Sequence, residues 1–172
     1  EQPIARGDPA ELAALRSSSS IPVMADESIV TIRDAQELIE ERAVDYFNLR
    51  LSKCGGIHNT LAIAELARSA DIGIQLGCQV GETAILSAAG RHFAAHFEDL
   101  RFVEGSYSTH LLAEDISEES IVFGLGGNAP LLTGAGFGIT VRQELLDKYT
   151  EDRISRHEGI YATIRVGSEA RL

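Results

Sequence analysis

The sequence predicts an α/β fold built on a parallel sheet. Up to about residue 110, strand-like apolar runs alternate with amphipathic helical patterns at a period of about 25 residues, which is typical of repeated βα units. Two architectures fit this alternation, the open doubly wound sheet and the closed (β/α) barrel, and the period does not separate them. No GxGxxG follows the first predicted strand, which counts against a dinucleotide-binding sheet.

The early elements are indicated by local patterns. A helical pattern covers residues 9–15, and a short strand at residues 21–25 runs directly into Asp26. The next helix is predicted over residues 31–44, with Asp34 as its cap and apolar positions at helical spacing after it.

The next strand, residues 46–51, carries polar side chains on alternate positions. Because successive side chains of a strand point to opposite faces, we expect Asn48 and Arg50 to line a site. The apolar residues expected to face the helices are Phe47, Leu49 and Leu51.

The later elements repeat the alternation. A helix capped by Asn59 or Thr60 is followed by a strand at residues 72–77, a helix at 83–95 and a strand at 100–105. The Gly-rich stretch 124–138 precedes no clear βαβ unit, and we interpret it as loop and turn.

The composition indicates a globular protein without a nucleic-acid or membrane partner. Of 172 residues, 44% are hydrophobic and 24% charged, and the net charge is −11. Nucleic acid and anionic membranes require clustered Lys and Arg instead. No run approaches the ~20 apolar residues of a membrane span, and no signal-peptide pattern is found, so we expect a cytoplasmic protein. Cys54 and Cys78 lack CxxC spacing and are predicted to be reduced thiols.

Charged side chains stand at the predicted strand ends. Glu1, Asp26, Arg50 and Glu104 are separated by 25, 24 and 54 residues. In a (β/α) barrel the chemistry lies at the carboxyl ends of the strands, where three carboxylates would then meet one guanidinium. Carboxylates gathered at one rim repel each other, and a hard divalent cation such as Mg²⁺ relieves that repulsion. The simpler alternative is that each acid only caps the helix that follows it.

Three short motifs, taken in order, carry a family resemblance. "EQP" at residues 1–3, "ADES" at 25–28 and "NLRLSKCGGI" at 48–57 resemble the C-terminal barrel domain of the enolase superfamily, in its muconate-lactonizing, dipeptide-epimerase and mandelate-racemase-like branch. The resemblance covers roughly residues 1–145. It implies the C-terminal part of a (β/α)7β TIM-like barrel, strands 4–8, with the N-terminal capping domain and strands 1–3 absent. Residues 1–120 would form the partial barrel, and residues 121–172 would return toward the capping domain.

The resemblance also implies a cofactor and a set of site residues. The family chemistry is proton abstraction or lactonisation next to a carboxylate, with Mg²⁺ stabilising the enediolate that forms. The implied residues are Glu1 and Asp26 as metal ligands, Glu27 and Asn48 as supports of those ligands, Arg50 and Glu104 as catalytic groups, and Cys78 and Gln79 as substrate contacts.

Arg50 departs from the family pattern, because this branch usually has a lysine acid or base at that position. An arginine does not give up its proton at neutral pH, but it can clamp a carboxylate through two parallel hydrogen bonds. The sequence therefore favours an isomerase or lyase with one-base chemistry, most like a muconate cycloisomerase, over two-base racemisation. The alternative is a non-catalytic or decayed barrel scaffold that binds a carboxylate ligand.

Several basic side chains receive weaker assignments. Lys53 follows the strand in the "KCGG" turn, and we interpret it as a surface or loop cation rather than a substitute base. His110 lies six residues beyond Glu104 and could reach a substrate from a loop. His92 and His96 lack the HExxH pattern and are predicted to be a helix-face or core pair.

The expected partners follow from the resemblance. They are a small carboxylate substrate, the missing N-terminal half of the same protein, without which the chain would be inactive, and further copies in a homo-oligomer. The tail, residues 151–172, lies outside the resemblance. There we expect a solvated helix and a terminal strand, in which Tyr161, Ile164 and Val166 would pair with the capping domain.

Overall fold

The computed structural model describes residues 1–105 and 108–154. Helices and strands alternate along the first part of the chain, and a short 3₁₀ turn at Leu125–Gly127 interrupts the later loop. In chain order the elements are α1 Pro9–Ser18, β1 Met24–Ala25, α2 Ile32–Glu40, β2 Tyr46–Leu49, α3 Ile57–Ser69, β3 Gly73–Leu76, α4 Ala84–His96, β4 Leu100–Val103, α5 Ser108–Leu111 and α6 Gln143–Ile154.

The strands form one parallel sheet in the order β1-β2-β3-β4, which confirms the predicted α/β class. Each new strand pairs with the strand before it, and the strand order never reverses within the described chain. A doubly wound sheet requires such a reversal, whereas a barrel adds its strands in sequence. The fold is therefore that of part of a (β/α) barrel. Residues 1–3, expected at the end of a further strand, lie outside any strand here.

Helix α2 begins at a capping box. The Thr31 hydroxyl accepts from the N–H of Asp34, and the Asp34 carboxylate accepts from the N–H of Thr31. Asp34 was predicted to be the cap, and it is the second member of that box. The predicted end at residue 44 is wrong, because Arg42 takes a left-handed φ of 51° that stops the helix.

Helix α3 begins without a side-chain cap. The prediction of Asn59 or Thr60 as its cap is wrong, since the helix starts at Ile57 after Gly56. Gly56 has a φ of 96°, a conformation that L side chains rarely adopt. The Thr60 hydroxyl instead donates to the Gly56 carbonyl at 2.8 Å.

The core lies between the sheet and helices α1–α4. The side chains predicted to face the helices, Phe47, Leu49 and Leu51, are all buried. At the far edge, Phe102 and Val103 of β4 are half exposed, because no further strand pairs with β4 in the described residues.

The C-terminal stretch is mostly irregular before α6. Residues 124–138 form loops around the 3₁₀ turn, as predicted. The predicted pairing of Tyr161, Ile164 and Val166 with the capping domain concerns positions outside the described residues. In the described parts of the chain, no helix is both long and apolar enough to cross a membrane.

The substitution Asp34→Ala should destabilise the protein by about 1 kcal/mol at neutral pH, because it removes half of the capping box. Burial raises the pKa of Asp34, but hydrogen bonds from Thr31 and Val30 outweigh that effect and hold it below its usual value. A carboxyl with a lowered pKa stabilises the fold above its unfolded-state pKa, and that contribution is lost as the pH falls through its folded-state pKa.

Urea denaturation of both proteins should therefore give the full difference in stability at pH 7. The difference should shrink as the pH falls below about 4. A difference that persists unchanged into stronger acid would contradict this role of the ionised carboxyl.

Candidate active site at the carboxyl end of the sheet

Two carboxylates and a guanidinium from separate segments of the chain meet in one cluster. Asp26 follows β1 directly and is only 2% exposed. Arg50, immediately after β2, donates from Nη2 to Oε1 of Glu1 at 3.3 Å and, at closer range, to Oδ2 of Asp26. The structure thus brings together three residues that the sequence analysis placed at one rim.

Asn48 supports this cluster from within the sheet. Its side chain is fully buried, and Nδ2 donates to Oε1 of Glu1 at 2.7 Å. Its Oδ1 is buried and has no hydrogen-bond partner among the described residues. That oxygen lies against Gly77, where an added Cβ would stand 2.1 Å from it. Gly77 is therefore needed for Asn48 to occupy its place beside Glu1.

Lys53 is part of the cluster: it lies in the turn after β2, as predicted, but it is not a surface cation. Its side chain is 13% exposed. The ammonium donates to Oδ1 of Asp26 at 2.6 Å and to the carbonyls of Asp26 and Asn48, each at 2.7 Å. The turn after β2 folds Lys53 back over the strand ends, because the N–H of Cys54 bonds to the Arg50 carbonyl at 2.9 Å.

Gln2 is a site residue that the sequence analysis missed. Its Oε1 accepts from the N–H groups of Asp26 and Ser28, both at 3.0 Å, and its Nε2 donates to the Ile4 carbonyl at 2.9 Å. Gln2 therefore joins the segment of Glu1 to the loop that carries Asp26. Its place beside Glu1 in the "EQP" motif was the available signal.

The ends of β3 and β4 contribute a second group of side chains. The N–H of Glu104 bonds to the Leu76 carbonyl at 2.8 Å, and the N–H of Cys78 faces Oε2 of Glu104 at 3.4 Å. Burial, followed by the charges of Glu82 and Glu104, raises the pKa of the Cys78 thiol. Cys78 therefore stays protonated at neutral pH and is a polar contact rather than a nucleophile.

A cavity of about 300 Å³ connects the two groups. Its lining includes residues just beyond three strands: Arg50 after β2, Gly77 and Cys78 after β3, and Glu104 after β4. Arg50 is the link, since it both lines the cavity and contacts Glu1 and Asp26. One wall is closed by Phe123 from the later loop. The arrangement offers a guanidinium, a thiol and a carboxylate to a ligand of modest size.

The remaining predicted site residues lie apart from the cavity. Glu27 is exposed directly beside the buried Asp26, and His110 is exposed on α5. Gln79 donates its N–H to Oε2 of Glu82 at 3.0 Å, and its side chain does not line the cavity. In the helix-face histidine pair, His92 contacts the Phe137 carbonyl at 3.0 Å through Nε2.

The carboxylate oxygens of the cluster meet part of what a hard divalent cation requires. In the described segments, no group of three or more His, Cys, Asp and Glu side chains is placed to hold a metal ion. Glu1 and Asp26 nevertheless converge on one cationic atom, Nη2 of Arg50. Mg²⁺ is commonly held by one or two carboxylates while it keeps several waters. The two carboxylates therefore fit Mg²⁺, with the guanidinium as a stand-in cation.

Comparison with known proteins identifies the protein family of this chain. A family model described as enolase C-terminal domain-like matches residues 1–145. The chain therefore belongs to that family, in the branch of the enolase superfamily that contains muconate-lactonizing and mandelate-racemase-like enzymes.

Individual relatives within the family are epimerases and cycloisomerases. The hydrophobic dipeptide epimerase of Enterococcus faecalis is 41% identical over 95 residues, which make up 55% of this chain and 27% of that protein. Muconate cycloisomerase 1 of Rhodococcus opacus is 30% identical over 152 residues, or 88% of this chain and 40% of that protein. A dipeptide epimerase of Cytophaga hutchinsonii, solved in complex with Mg and D-Ala-L-Val, superposes with a TM-score of 0.77 and 32% identity, over 85% of this chain and 39% of that one.

The chain spans well under half the length of these three relatives, since the matched shares of the relatives are 27%, 40% and 39%. Family membership and fold are thus established for the enolase C-terminal domain-like part that this chain matches, and not for the full length of the relatives.

The substitution Gly77→Ala should destabilise the protein by about 1–3 kcal/mol, because the new methyl group would stand 2.1 Å from Oδ1 of the fully buried Asn48. Urea denaturation measures the change. Gly7→Ala is the matched control, since its Cβ would meet nothing closer than 3.8 Å, and it should stay within about 0.5 kcal/mol of wild type. Equal stability of the two variants would contradict the close approach of Asn48 to Gly77.

Proposed function

We propose that this chain is the C-terminal part of a Mg²⁺-dependent isomerase or lyase that acts on a small carboxylate substrate. The observation that carries the proposal is the convergence of Glu1 and Asp26 on a single cationic atom at the carboxyl end of the sheet. Family membership and the epimerase and cycloisomerase relatives support the same reading.

Glu1 and Asp26 would hold the metal. When bound there, Mg²⁺ would neutralise negative charge that develops on a carboxylate substrate as an adjacent proton leaves. Asn48 would fix the Glu1 carboxylate through the hydrogen bond it donates, and Gln2 would fix the loop of Asp26. Held in this way, the two carboxylates lose little freedom when a cation binds.

Arg50 would orient the substrate rather than exchange protons with it. Its guanidinium lines the cavity, and a guanidinium offers hydrogen-bond donors but no acceptor. Nη1 is the guanidinium nitrogen that would be left for a carboxylate ligand, because Nη2 contacts Glu1 and Asp26 and Nε is buried. Glu104, which lines the same cavity, would contact the reacting end of the substrate. Proton abstraction would then fall to side chains from sequence outside these 172 residues.

The second candidate is a non-catalytic barrel scaffold that binds a carboxylate ligand. A specific observation favours it: Arg50 and Lys53 already supply two positive charges to the carboxylates of Glu1 and Asp26. A cluster neutralised by its own side chains has less need of a divalent cation. The two candidates therefore differ first in metal binding.

Isothermal titration of Mg²⁺ into the full-length protein separates them. For the enzyme we expect saturable binding that Asp26→Asn weakens by at least about tenfold, because the amide removes a charge and an anionic ligand oxygen. Asp99→Asn is the control, since it makes the same chemical change at an exposed carboxylate remote from the cluster. It should bind Mg²⁺ as wild type does.

Two results would count against the enzyme. Wild-type protein that fails to bind Mg²⁺ would favour the scaffold, and unchanged binding by Asp26→Asn would remove Asp26 from the metal site. A cytoplasmic location, a homo-oligomer and the need for the rest of the barrel remain predictions for the full-length protein.

A further inference from the structure

The ammonium of Lys53 has no hydrogen left for a substrate. A lysine ammonium carries three donors. All three are used, on Oδ1 of Asp26 and on the backbone carbonyls of Asp26 and Asn48, at 2.6 to 2.7 Å. The side chain is largely buried, and Lys53 does not line the cavity of Arg50 and Glu104.

The core fixes the place of Lys53. The turn that carries it is closed by the bond from the Gly56 N–H to the Leu51 carbonyl at 2.7 Å. On either side of Lys53, Leu51 and Cys54 are buried in the core and only 5% and 3% exposed. The lysine therefore reaches the strand ends from a turn that cannot shift without disturbing the core.

The contacts of Lys53 tie two strand ends together. Asp26 follows β1 and Asn48 belongs to β2, so one ammonium bridges neighbouring strands just where the cluster forms. Lys53 donates a hydrogen bond to Oδ1 of Asp26, and Arg50 donates one to Oδ2. This division fixes the plane of the Asp26 carboxylate and directs Oδ2 to the side shared with Glu1.

We propose that Lys53 is a positioning residue for the metal site: it holds the Asp26 carboxylate so that Oδ2 and Glu1 face one cation, and it takes no part in proton transfer. This inference rests on the proposed function, because it concerns the metal that Asp26 would hold.

Two effects of Lys53 on metal affinity oppose each other. Its positive charge repels a cation, while its hydrogen bonds orient the ligand. Side chains that orient metal ligands are typically worth 10- to 100-fold in metal affinity. The charge of Asp26 is already shared between Lys53 and Arg50, and three acceptors hold the ammonium in place, so we expect orientation to dominate.

Three variants of the full-length protein test the proposal through Mg²⁺ binding, measured by isothermal titration. Lys53→Met keeps the length of the side chain but removes its charge and donors, and it should weaken binding about 10- to 100-fold. Lys53→Arg restores both and should recover most of the affinity. Lys148→Met is the matched control. Lys148 pairs with Glu114 at 2.6 Å, the same distance as between Lys53 and Asp26, but it is exposed and far from the cluster in sequence.

A second measurement uses wild-type protein and needs no variant to fold. Reductive methylation with formaldehyde and cyanoborohydride, followed by mass spectrometry of peptides, compares the two lysines within these 172 residues. Lys148, with a side chain 58% exposed, should be methylated rapidly. Lys53 should remain protected, because its ammonium is held by three acceptors.

The outcomes are distinguishable. Folded Lys53→Met that binds Mg²⁺ like wild type would overturn the proposal, and so would methylation of Lys53 at the rate of Lys148. Lys53→Met could fail to fold while Lys53 of the wild-type protein is protected from methylation. In that case, weak Mg²⁺ binding by Lys53→Arg would contradict orientation through charge and donors, whereas near wild-type binding would support it. Failure of wild-type protein to bind Mg²⁺ would instead overturn the proposed function, and with it the metal-site role of Lys53.

Discussion

The buried carboxylate of Asp26 is the constraint on which the rest of the site depends. A carboxylate that is 2% exposed must be paired, since an uncompensated buried charge costs several kcal/mol. Lys53 and Arg50 take its two oxygens, and Gln2 accepts from its backbone N–H. The ends of β1 and β2, the turn after β2 and the segment of Glu1 are thereby held at one point.

The same arrangement explains why small changes elsewhere matter to the cluster. Asn48 reaches Glu1 only because Gly77 on the neighbouring strand has no side chain. Arg50 extends from the cluster into the cavity shared with Cys78 and Glu104. Packing in the sheet, the charge pairs at its rim and access to the cavity are therefore parts of one structure, in which a change to one member moves the others.

Much of the fold and part of the site could be predicted from the sequence. Alternation of apolar strands and amphipathic helices is a strong signal, and it gave the parallel sheet and the shared rim of Glu1, Asp26 and Arg50. Helix ends were less predictable, because the stop at Arg42 and the start after Gly56 depend on backbone conformation. Lys53 was misjudged for a related reason: the sequence places it in a turn, and only the folding of that turn onto β1 and β2 buries it. Gln2 was overlooked because its role is a contact across 24 residues of sequence.

The central claim is that Glu1 and Asp26 form a cation site at the carboxyl end of the sheet. Crystals of the full-length protein grown with Mn²⁺, examined by anomalous diffraction, test it most directly. The account predicts one strong anomalous peak bonded to carboxylate oxygens of both Glu1 and Asp26, with the Lys53 ammonium still on Oδ1 of Asp26. A map with no peak there, in which the Arg50 guanidinium keeps its contacts to both carboxylates, would contradict it.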